Sequence, residues 1–232
     1  MASLDLSFEQ FTPTKSTRQP LTLARAMAAG HAAAPRVLFL HGPAGVGKTH
    51  VLQATLRQAL RERPSVRLAR SAGLEVVEGL VEAFKQGHDV ASHLRWEGAE
   101  LIALDDLHVL ARMPMMQREL ARLLQEAVEA GSRVICAAGG PRSDLRVFLA
   151  ALRRLPGFSL ATLQGATDHD LRRILARIAC REGVRPGGRA LRAMVTPSAG
   201  DVRRAMGALA RYRFGRSLRR GHAAPPSYHE SD

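Results

Sequence analysis

The sequence predicts an α/β protein whose parallel sheet is covered by helices on both faces, followed by a small all-helical unit. Over residues 1–165, short apolar runs alternate with segments of helical spacing, and a glycine-rich turn follows the first clear run. Over residues 166–214 only helical spacing remains, and residues 215–232 show no core pattern. We therefore expect an α/β subdomain, a helical subdomain and a disordered tail over these three ranges.

The strands are predicted from short apolar runs that are rich in branched residues. Strands of a parallel sheet are buried on both faces, so their sequences are almost continuously apolar. The runs that meet this description are Arg36–His41, Val66–Ala69, Leu101–Leu104, Val134–Ala138 and Ser159–Leu163.

The helices are predicted from apolar residues spaced at intervals of three and four. One helix follows the glycine-rich turn, a second spans Leu74–Phe84 and a third spans Met116–Val128. In the helical unit, Thr167 with Asp170 resembles a capping box that opens a helix. Asp201 is placed to cap the last helix.

The turn after the first strand matches the complete P-loop pattern and lies, as the pattern requires, between a strand and a helix. Its glycines let successive backbone N–H groups point inward around phosphate oxygens, and the following helix directs its N-terminus at the same anion. Lys48 reaches the terminal phosphates and the Thr49 hydroxyl is a magnesium ligand. The pattern therefore predicts binding of ATP or ADP with Mg²⁺. Its positions are Gly42, Pro43, Ala44, Gly45, Val46, Gly47, Lys48 and Thr49.

Two acidic residues follow the apolar run LIAL. A carboxylate at the end of a neighbouring parallel strand lies beside the P-loop, where it can hold Mg²⁺ directly or through water. We assign this role to Asp105 and expect Asp106 to orient the attacking water. A surface acid that simply ends a strand is the alternative, but paired acids after four apolar residues favour the metal site.

The chain is strongly basic, with a formal net charge of +13 that comes almost entirely from arginine. Residues 142–220 hold eighteen arginines against five acidic residues. Such an excess indicates an acidic partner, for instance weak non-specific contact with nucleic acid, but a GC-rich genome gives the same composition. Both interpretations stay open. With no apolar stretch that could cross a membrane, no visible signal peptide and only two cysteines, a cytoplasmic location is expected.

Four segments resemble the AAA+ domain of the bacterial replication initiator DnaA and its short regulatory relative Hda. They are Ser7–Phe11 (SFEQF), the P-loop with His50 directly after it, Leu101–Leu110 (LIALDDLHVL) and Gly200–Leu209 (GDVRRAMGAL). The resemblance covers about residues 7–212 and is most specific in the last segment. It implies an AAA+ P-loop NTPase with a five-stranded sheet and a helical lid.

The resemblance also assigns residues that spacing alone does not identify. His50 joins the nucleotide-binding residues, and Ser7–Phe11 adjoins the adenine pocket. Arg203 becomes the sensor-2 arginine that touches the phosphates from the lid. The arginine finger, which acts on a neighbouring subunit's nucleotide, aligns with Arg154, with Arg153 beside it; a basic helix end explains these two arginines equally well.

One departure from the family weakens the case for hydrolysis. The fourth strand continues as Cys136–Pro141 (CAAGGP), where the family has polar residues before Arg-Pro. No side chain in this segment can hydrogen-bond a catalytic water. The sequence therefore predicts nucleotide binding more firmly than hydrolysis, with weak ATPase activity at most.

The family resemblance makes a regulator of replication initiation the leading functional hypothesis. The chain ends where the initiator's DNA-reading module would begin, which favours an Hda-like role: stimulating ATP hydrolysis on DnaA while loaded on the sliding clamp. Docking between homologous AAA+ bodies also predicts self-association. Ser3–Phe8 loosely resembles a clamp-binding peptide, although Phe8 fits equally well as part of a segment packed on the core.

Two other functions remain open. A helicase loader or transposition helper of the DnaC/IstB type shares the P-loop and the basic character, but Gly200–Leu209 favours the DnaA relatives. An interaction module that binds nucleotide without hydrolysing it is the third hypothesis.

Overall fold

Five parallel strands form the central sheet of the computed structural model, which describes residues 6–86 and 94–221, with side chains up to residue 215. The strand order is β2-β3-β4-β1-β5, and every adjacent pair is parallel. The predicted fold class is therefore confirmed. The strands are β1 (Val37–His41), β2 (Leu68–Ala72), β3 (Leu101–Asp105), β4 (Arg133–Ala138) and β5 (Phe158–Thr162).

Helices cover both faces of this sheet, as expected for a parallel arrangement. Alternate residues of β1 pack into two different cores, one on each face of the sheet. Leu38 and Leu40 belong to the core on one face, and Val37 and Phe39 belong to the core on the other. The helices of this unit are α1 (Arg18–Ala28), α2 (Lys48–Glu62), α3 (Gly73–Gln86), α4 (Pro114–Glu129) and α5 (Arg146–Leu152), with short 3₁₀ turns at Leu107–Leu110 and Arg142–Leu145.

Several elements differ from the sequence prediction. The second strand begins at Leu68 and not at Val66, because β2 lies at the edge of the sheet and carries the polar residues Arg70 and Ser71. The sequence does not predict helices α1 and α5, since two of the five buried residues of α1 are alanines and α5 has only seven residues. Leu60 and Phe84, which fit the apolar spacing of their helices, are 48% and 58% exposed.

The second unit spans Ala166–Asp232 and is all-helical over its described part. Its helices are α6 (Asp168–Arg181), α7 (Gly188–Val195) and α8 (Val202–Gly221), with a 3₁₀ turn at Thr196–Ser198. The first unit spans Met1–Gly165. In neither unit does a described helix have the length and apolar character needed to cross a membrane.

Capping explains where the helices of the second unit begin. The Thr167 hydroxyl accepts a hydrogen bond from the Asp170 N–H at 3.1 Å, and the Asp170 carboxylate accepts one from the Thr167 N–H at 3.3 Å, so the predicted capping box is present. Asp201 accepts from the N–H of Arg204 at 3.1 Å, as an N-cap does. The tail predicted from residue 215 needs correction, because α8 continues to Gly221. Residues 222–232 lie outside the described part.

Candidate nucleotide site

The P-loop lies at the carboxyl edge of the sheet, where the C-terminal ends of the strands meet. Gly42 directly follows β1, and a Cβ atom at this position would lie only 2.2 Å from the carbonyl oxygen of Leu163, so no larger residue fits. Gly47 caps α2 with φ of +100°, a left-handed conformation that glycine adopts without strain. Because α2 begins at Lys48, its N-terminus and its positive dipole end point into the loop.

The Lys48 side chain is held inside the loop. Its ammonium donates hydrogen bonds of 2.8 Å to the carbonyl oxygens of both Gly42 and Pro43, and the residue is only 8% exposed. A buried ammonium is costly unless it is hydrogen-bonded, so the two carbonyls stabilise the charge at this position. The positive charge is therefore concentrated where P-loops bind phosphate.

Asp105 ends β3 next to the P-loop and is 4% exposed. Its carboxylate accepts hydrogen bonds from the Thr49 side chain and, at 2.9 Å, from the N–H of Asp106. Burial raises the pKa of Asp105 and the neighbouring charge of Asp106 adds to the rise, while the Thr49 hydrogen bond opposes it. The two proposed magnesium ligands thus lie in direct contact.

This pair fits a divalent cation, because a positive ion would offset the cost of burying the carboxylate. No group of three or more His, Cys, Asp or Glu side chains suited to a metal occurs in residues 6–86 and 94–221. Mg²⁺ usually binds through one or two protein oxygens and takes its other ligands from phosphates and water. The donor set of Thr49 and Asp105 is therefore of the kind that Mg²⁺ uses beside a nucleotide.

Asp106 has an exposed carboxylate at the same edge of the sheet. Its backbone is left-handed, with φ of 54°, and a Cβ atom at Gly73 would lie 2.5 Å from its carbonyl oxygen. The Asp106 carboxylate is 3.7 Å from Nδ1 of His108. The two adjacent acids therefore occupy different environments, because Asp105 is buried whereas Asp106, on the left-handed turn, is exposed.

The segment after β4 lies against the P-loop without offering it a side chain. A Cβ atom built on Gly139 would lie 3.8 Å from the Lys48 ammonium nitrogen and 3.6 Å from the Gly42 carbonyl oxygen. The adjacent Gly140 carbonyl accepts a hydrogen bond of 2.9 Å from Nε2 of His41, so Nε2 must carry the proton. The position of Gly139 therefore borders the site, but only its backbone is available there.

The N-terminal segment packs on the first turn of α2. Nε2 of His50 donates to the carbonyl oxygen of Ser7 at 2.7 Å, since a carbonyl can only accept. The ring of Phe11 meets the His50 ring edge-on, with centroids 5.0 Å apart, and lies against Gly47. His50 thus connects Ser7–Phe11 to the P-loop helix.

Phe8 belongs to the core and is 3% exposed, with the Arg25 guanidinium stacked over its ring at 4.6 Å. In this arrangement Phe8 has no access to the groove of a partner. The clamp-binding interpretation of Ser3–Phe8 therefore loses its aromatic anchor, while Met1–Asp5 lie outside the described residues.

The other candidate arginines do not belong to the P-loop edge of the first unit. Arg153 and Arg154 are exposed between α5 and β5, at the amino edge of the sheet, where the strands begin. A five-residue strand separates the two edges by about 16 Å. Arg203 is exposed in the first turn of α8, in the second unit.

Sequence reasoning missed one charged neighbour of the site, Arg70. The parallel register pairs Arg70 with Ala103 and Ala72 with Asp105, so Arg70 projects from the same face of the sheet as Asp105. Its charge lowers the pKa of Asp105, in opposition to burial. No local pattern reveals this neighbour, because the relation depends on the register of two strands about 30 residues apart.

The fold and the site define the class of protein, an AAA+ P-loop NTPase. The defining features are a phosphate loop that encloses its lysine, an acid beside the loop threonine, and the strand order β2-β3-β4-β1-β5. The particular family follows from the sequence comparison. The family model described as the bacterial DnaA ATPase domain matches residues 3–159, and the chain belongs to that family.

Curated relatives are chromosomal replication initiator proteins DnaA. That of Caulobacter sp. (strain K31) is 30% identical over 129 residues, which cover 56% of this chain and 26% of the relative. That of Sphingopyxis alaskensis is 30% identical over 173 residues, which cover 74% of this chain and 38% of the relative. The chain thus matches less than two fifths of the length of these relatives.

Solved structures share the fold at low sequence identity. Domain III of DnaA from Thermotoga maritima has a TM-score of 0.80 at 20% identity and covers 96% of this chain and 93% of its own. AMPPCP-bound DnaA from Aquifex aeolicus has a TM-score of 0.77 at 17% identity, covering 94% of this chain and 70% of its own. The Thermotoga maritima RuvB branch migration motor has a TM-score of 0.64 at 19% identity, covering 92% of this chain and 66% of its own.

Proposed function

We propose that the chain binds ATP or ADP with Mg²⁺ at the carboxyl edge of its sheet. The observation that carries this proposal is the convergence of the enclosed Lys48 ammonium with the contact between Thr49 and the buried Asp105. A cation and an acid–hydroxyl pair beside a helix N-terminus are the groups that a nucleotide with its metal needs. The AMPPCP-bound DnaA structure supports the choice of an adenine nucleotide.

Each residue then has a separate role. The N–H groups of Gly42–Thr49 surround the phosphates and Lys48 contacts the terminal ones. Thr49 and Asp105 hold Mg²⁺, which neutralises negative charge on the phosphates. Asp106, the second of the paired acids after β3, orients a water molecule for attack. The sensor-2 role of Arg203 rests on the family resemblance alone.

Hydrolysis by the isolated chain is proposed to be slow. Gly139 borders the Lys48 ammonium but carries no group that could hold the attacking water. An ordinary enzyme turns over at about 10 per second. Purified chain that hydrolyses ATP at such a rate would contradict the proposal.

We further propose that the chain regulates replication initiation by acting on ATP held by DnaA. Its membership of the DnaA family supports the choice of partner. Arg153 and Arg154 are exposed at the opposite edge of the sheet from the chain's own P-loop, so within the first unit they are remote from its own nucleotide. An arginine supplied to a neighbouring nucleotide stabilises transition-state charge and accelerates hydrolysis by about 10³–10⁵-fold in other systems.

The test is single-turnover hydrolysis of ATP preloaded on the cognate DnaA, with and without this chain and the sliding clamp. We expect the chain to accelerate hydrolysis and the Arg153→Ala/Arg154→Ala variant to lose the acceleration. The Arg118→Ala variant, which removes an exposed arginine of α4, is the matched control. Equal acceleration by the double variant would exclude these arginines as the finger. No acceleration, together with recruitment of helicase to single strands, would instead favour a DnaC/IstB-like loader.

Weak contact with nucleic acid is a separate proposal, supported by the charge of the second unit. The exposed side of α6 carries four arginines, Arg172, Arg173, Arg177 and Arg181. One structural neighbour is DnaA bound to AMPPCP and single-stranded DNA. Because phosphate neutralisation releases counterions, we expect binding without sequence preference that weakens steeply with salt. Gel shifts at low salt that show no complex would support the codon-usage explanation of the charge.

A further inference from the structure

Arginines accumulate at the amino edge of the sheet, far from the P-loop. Four of the five strands begin within about five residues of an arginine, while Glu100 precedes β3. Such residues are distant in sequence and meet only because all parallel strands start at one edge. The arginines are Arg36 before β1, Arg67 before β2, Arg133 at the start of β4, and Arg153 and Arg154 before β5, and Arg63 follows α2 at the same edge.

Two of these side chains are anchored by backbone carbonyls at the end of α1 and in the loop after it. Nε of Arg63 donates to the Ala28 carbonyl oxygen at 3.3 Å, and a Cβ atom at Gly30 would lie 3.3 Å from the Arg63 guanidinium. Nη2 of Arg133 donates to the His31 carbonyl oxygen at 2.7 Å. Two guanidinium groups are therefore held on one four-residue loop.

The third arginine is anchored in the turn that precedes β4. Nη1 of Arg36 donates to the carbonyl oxygen of Gly131, two residues before Arg133, at 3.3 Å. Arg63 also forms a 3.6 Å ion pair with Glu100, whose carboxylate accepts from the N–H of Arg67 at 3.3 Å. Glu100 thus contacts both the Arg63 guanidinium and the backbone of Arg67, beside the group formed by Arg36, Arg63 and Arg133.

Arg133 is the least satisfied member of this group. Its Nη1 is buried and has no hydrogen-bond partner among the described residues. Burial lowers the pKa of Arg133, and the charges of Arg36 and Arg63 lower it further. A buried donor without an acceptor, surrounded by like charges, is unfavourable unless an anion offsets it.

We propose that Arg36, Arg63 and Arg133 form a second oxyanion site, which binds a phosphate group at the opposite edge of the sheet from the nucleotide. A phosphate dianion offsets two of the three charges and can accept from the unpaired Nη1, whereas a carboxylate offsets only one. The planar guanidinium groups suit phosphate oxygens geometrically. The phosphate belongs either to a free ion such as pyrophosphate or to the backbone of a nucleic acid.

The experiment uses the full chain with Lys48→Ala, so that the P-loop does not dominate phosphate binding. Calorimetric titration with pyrophosphate is expected to show saturable binding. Arg133→Gln should weaken it at least about tenfold, because charge-assisted hydrogen bonds are lost. Arg63→Gln should weaken it less, and Arg118→Gln, which removes an exposed arginine from α4, should leave it unchanged.

A second variant protects the test against misfolding. Arg36→Gln with Arg63→Gln keeps the Arg133 contact with His31 and should also reduce binding at least about tenfold, with an unchanged circular dichroism spectrum. Parallel titrations with oligothymidylate identify the source: loss of affinity in the same variants assigns the site to a nucleic-acid backbone, and loss for pyrophosphate alone assigns it to a free ion. Undetectable pyrophosphate and oligothymidylate binding by the Lys48→Ala chain, or equal binding by that chain with and without Arg133→Gln, would overturn the proposal.

Discussion

The two edges of the sheet handle charge in opposite ways. At the carboxyl edge each buried charge has a complementary neighbour: Lys48 has two carbonyl oxygens and Asp105 has the Thr49 side chain. At the amino edge Arg36, Arg63 and Arg133 gather like charges and leave one donor without an acceptor. The buried charges of the carboxyl edge are therefore contacted by groups of the chain itself, whereas at the amino edge we propose that an anion takes this role.

Helix direction accounts for part of this difference. In an alternating parallel fold, helices begin at the carboxyl edge and end at the amino edge, so their positive dipole ends lie near the P-loop and their negative ends lie near the arginines. Arg63 is the C-cap of α2 and benefits from that dipole. This effect is worth only about 0.3–1 kcal/mol at exposed positions, and it does not explain the unpaired Nη1 of Arg133.

The largest expected effect is a loss of nucleotide affinity at the carboxyl edge. Lys48→Ala removes the ammonium from the P-loop and should weaken ATP and ADP binding by roughly tenfold to a hundredfold, because a charge-assisted contact contributes about 1.5–3 kcal/mol. Calorimetry in the presence of Mg²⁺ measures this loss. Lys85→Ala, at the exposed end of α3, is the control and should bind normally. Unchanged affinity in Lys48→Ala would contradict the assignment of the nucleotide site to the carboxyl edge.

Gly42→Ala should damage the carboxyl edge by steric means. Its Cβ atom would lie 2.2 Å from a backbone oxygen, which cannot move aside as a side-chain end can. We expect destabilisation of about 1–3 kcal/mol, measured by urea unfolding. Gly139→Ala is the control from the same site, because its nearest neighbour would be an ordinary 3.6 Å away. Similar unfolding midpoints for both variants would show that the loop tolerates displacement.

Gly139→Asn tests whether the missing polar side chain at this position makes hydrolysis slow. The new side chain would begin 3.8 Å from the Lys48 ammonium nitrogen and offer both a donor and an acceptor to water. We expect steady-state turnover to rise by about tenfold, less than the effect of a preorganised donor at an evolved site. Gly139→Ala adds the Cβ atom without the amide and should stay slow. Equal rates in the two variants would mean that a missing polar group is not the limitation.

The smallest effect comes from Asp105→Asn in the absence of ligand. Because burial raises the pKa of Asp105 above its value in the unfolded chain, ionisation favours unfolding, and stability falls as the pH rises through the folded pKa. The variant should therefore melt higher than wild type near pH 7, by about 2–4 °C for each kcal/mol gained.

The difference between Asp105→Asn and wild type should shrink as the pH falls and the wild-type carboxyl takes up its proton. Glu78→Gln, an exposed change on α3, is the control and should not alter the melting temperature. A lower melting temperature for Asp105→Asn at every pH would indicate that the carboxylate contact with Thr49 outweighs burial.

The sequence by itself determined the class of fold, the P-loop and the acid beside it. These features are local: Gly42–Thr49 is one continuous segment, and Asp105 directly follows an apolar run that predicts its own strand. The capping box and periodic helices of the second unit are local for the same reason. Weak local signals placed the edge strand β2 two residues too early and left α1 unpredicted.

Only the tertiary structure decided which distant residues meet. Arg70 lies on the same sheet face as Asp105 because β2 and β3 pair in one register, and a shift of one residue would turn it to the opposite face. Phe8 is buried under Arg25 because the N-terminal segment packs on α1 and α2, which a short peptide pattern cannot predict. Arg36, Arg63 and Arg133 converge because a parallel sheet collects the starts of its strands at one edge, whatever their separation along the chain.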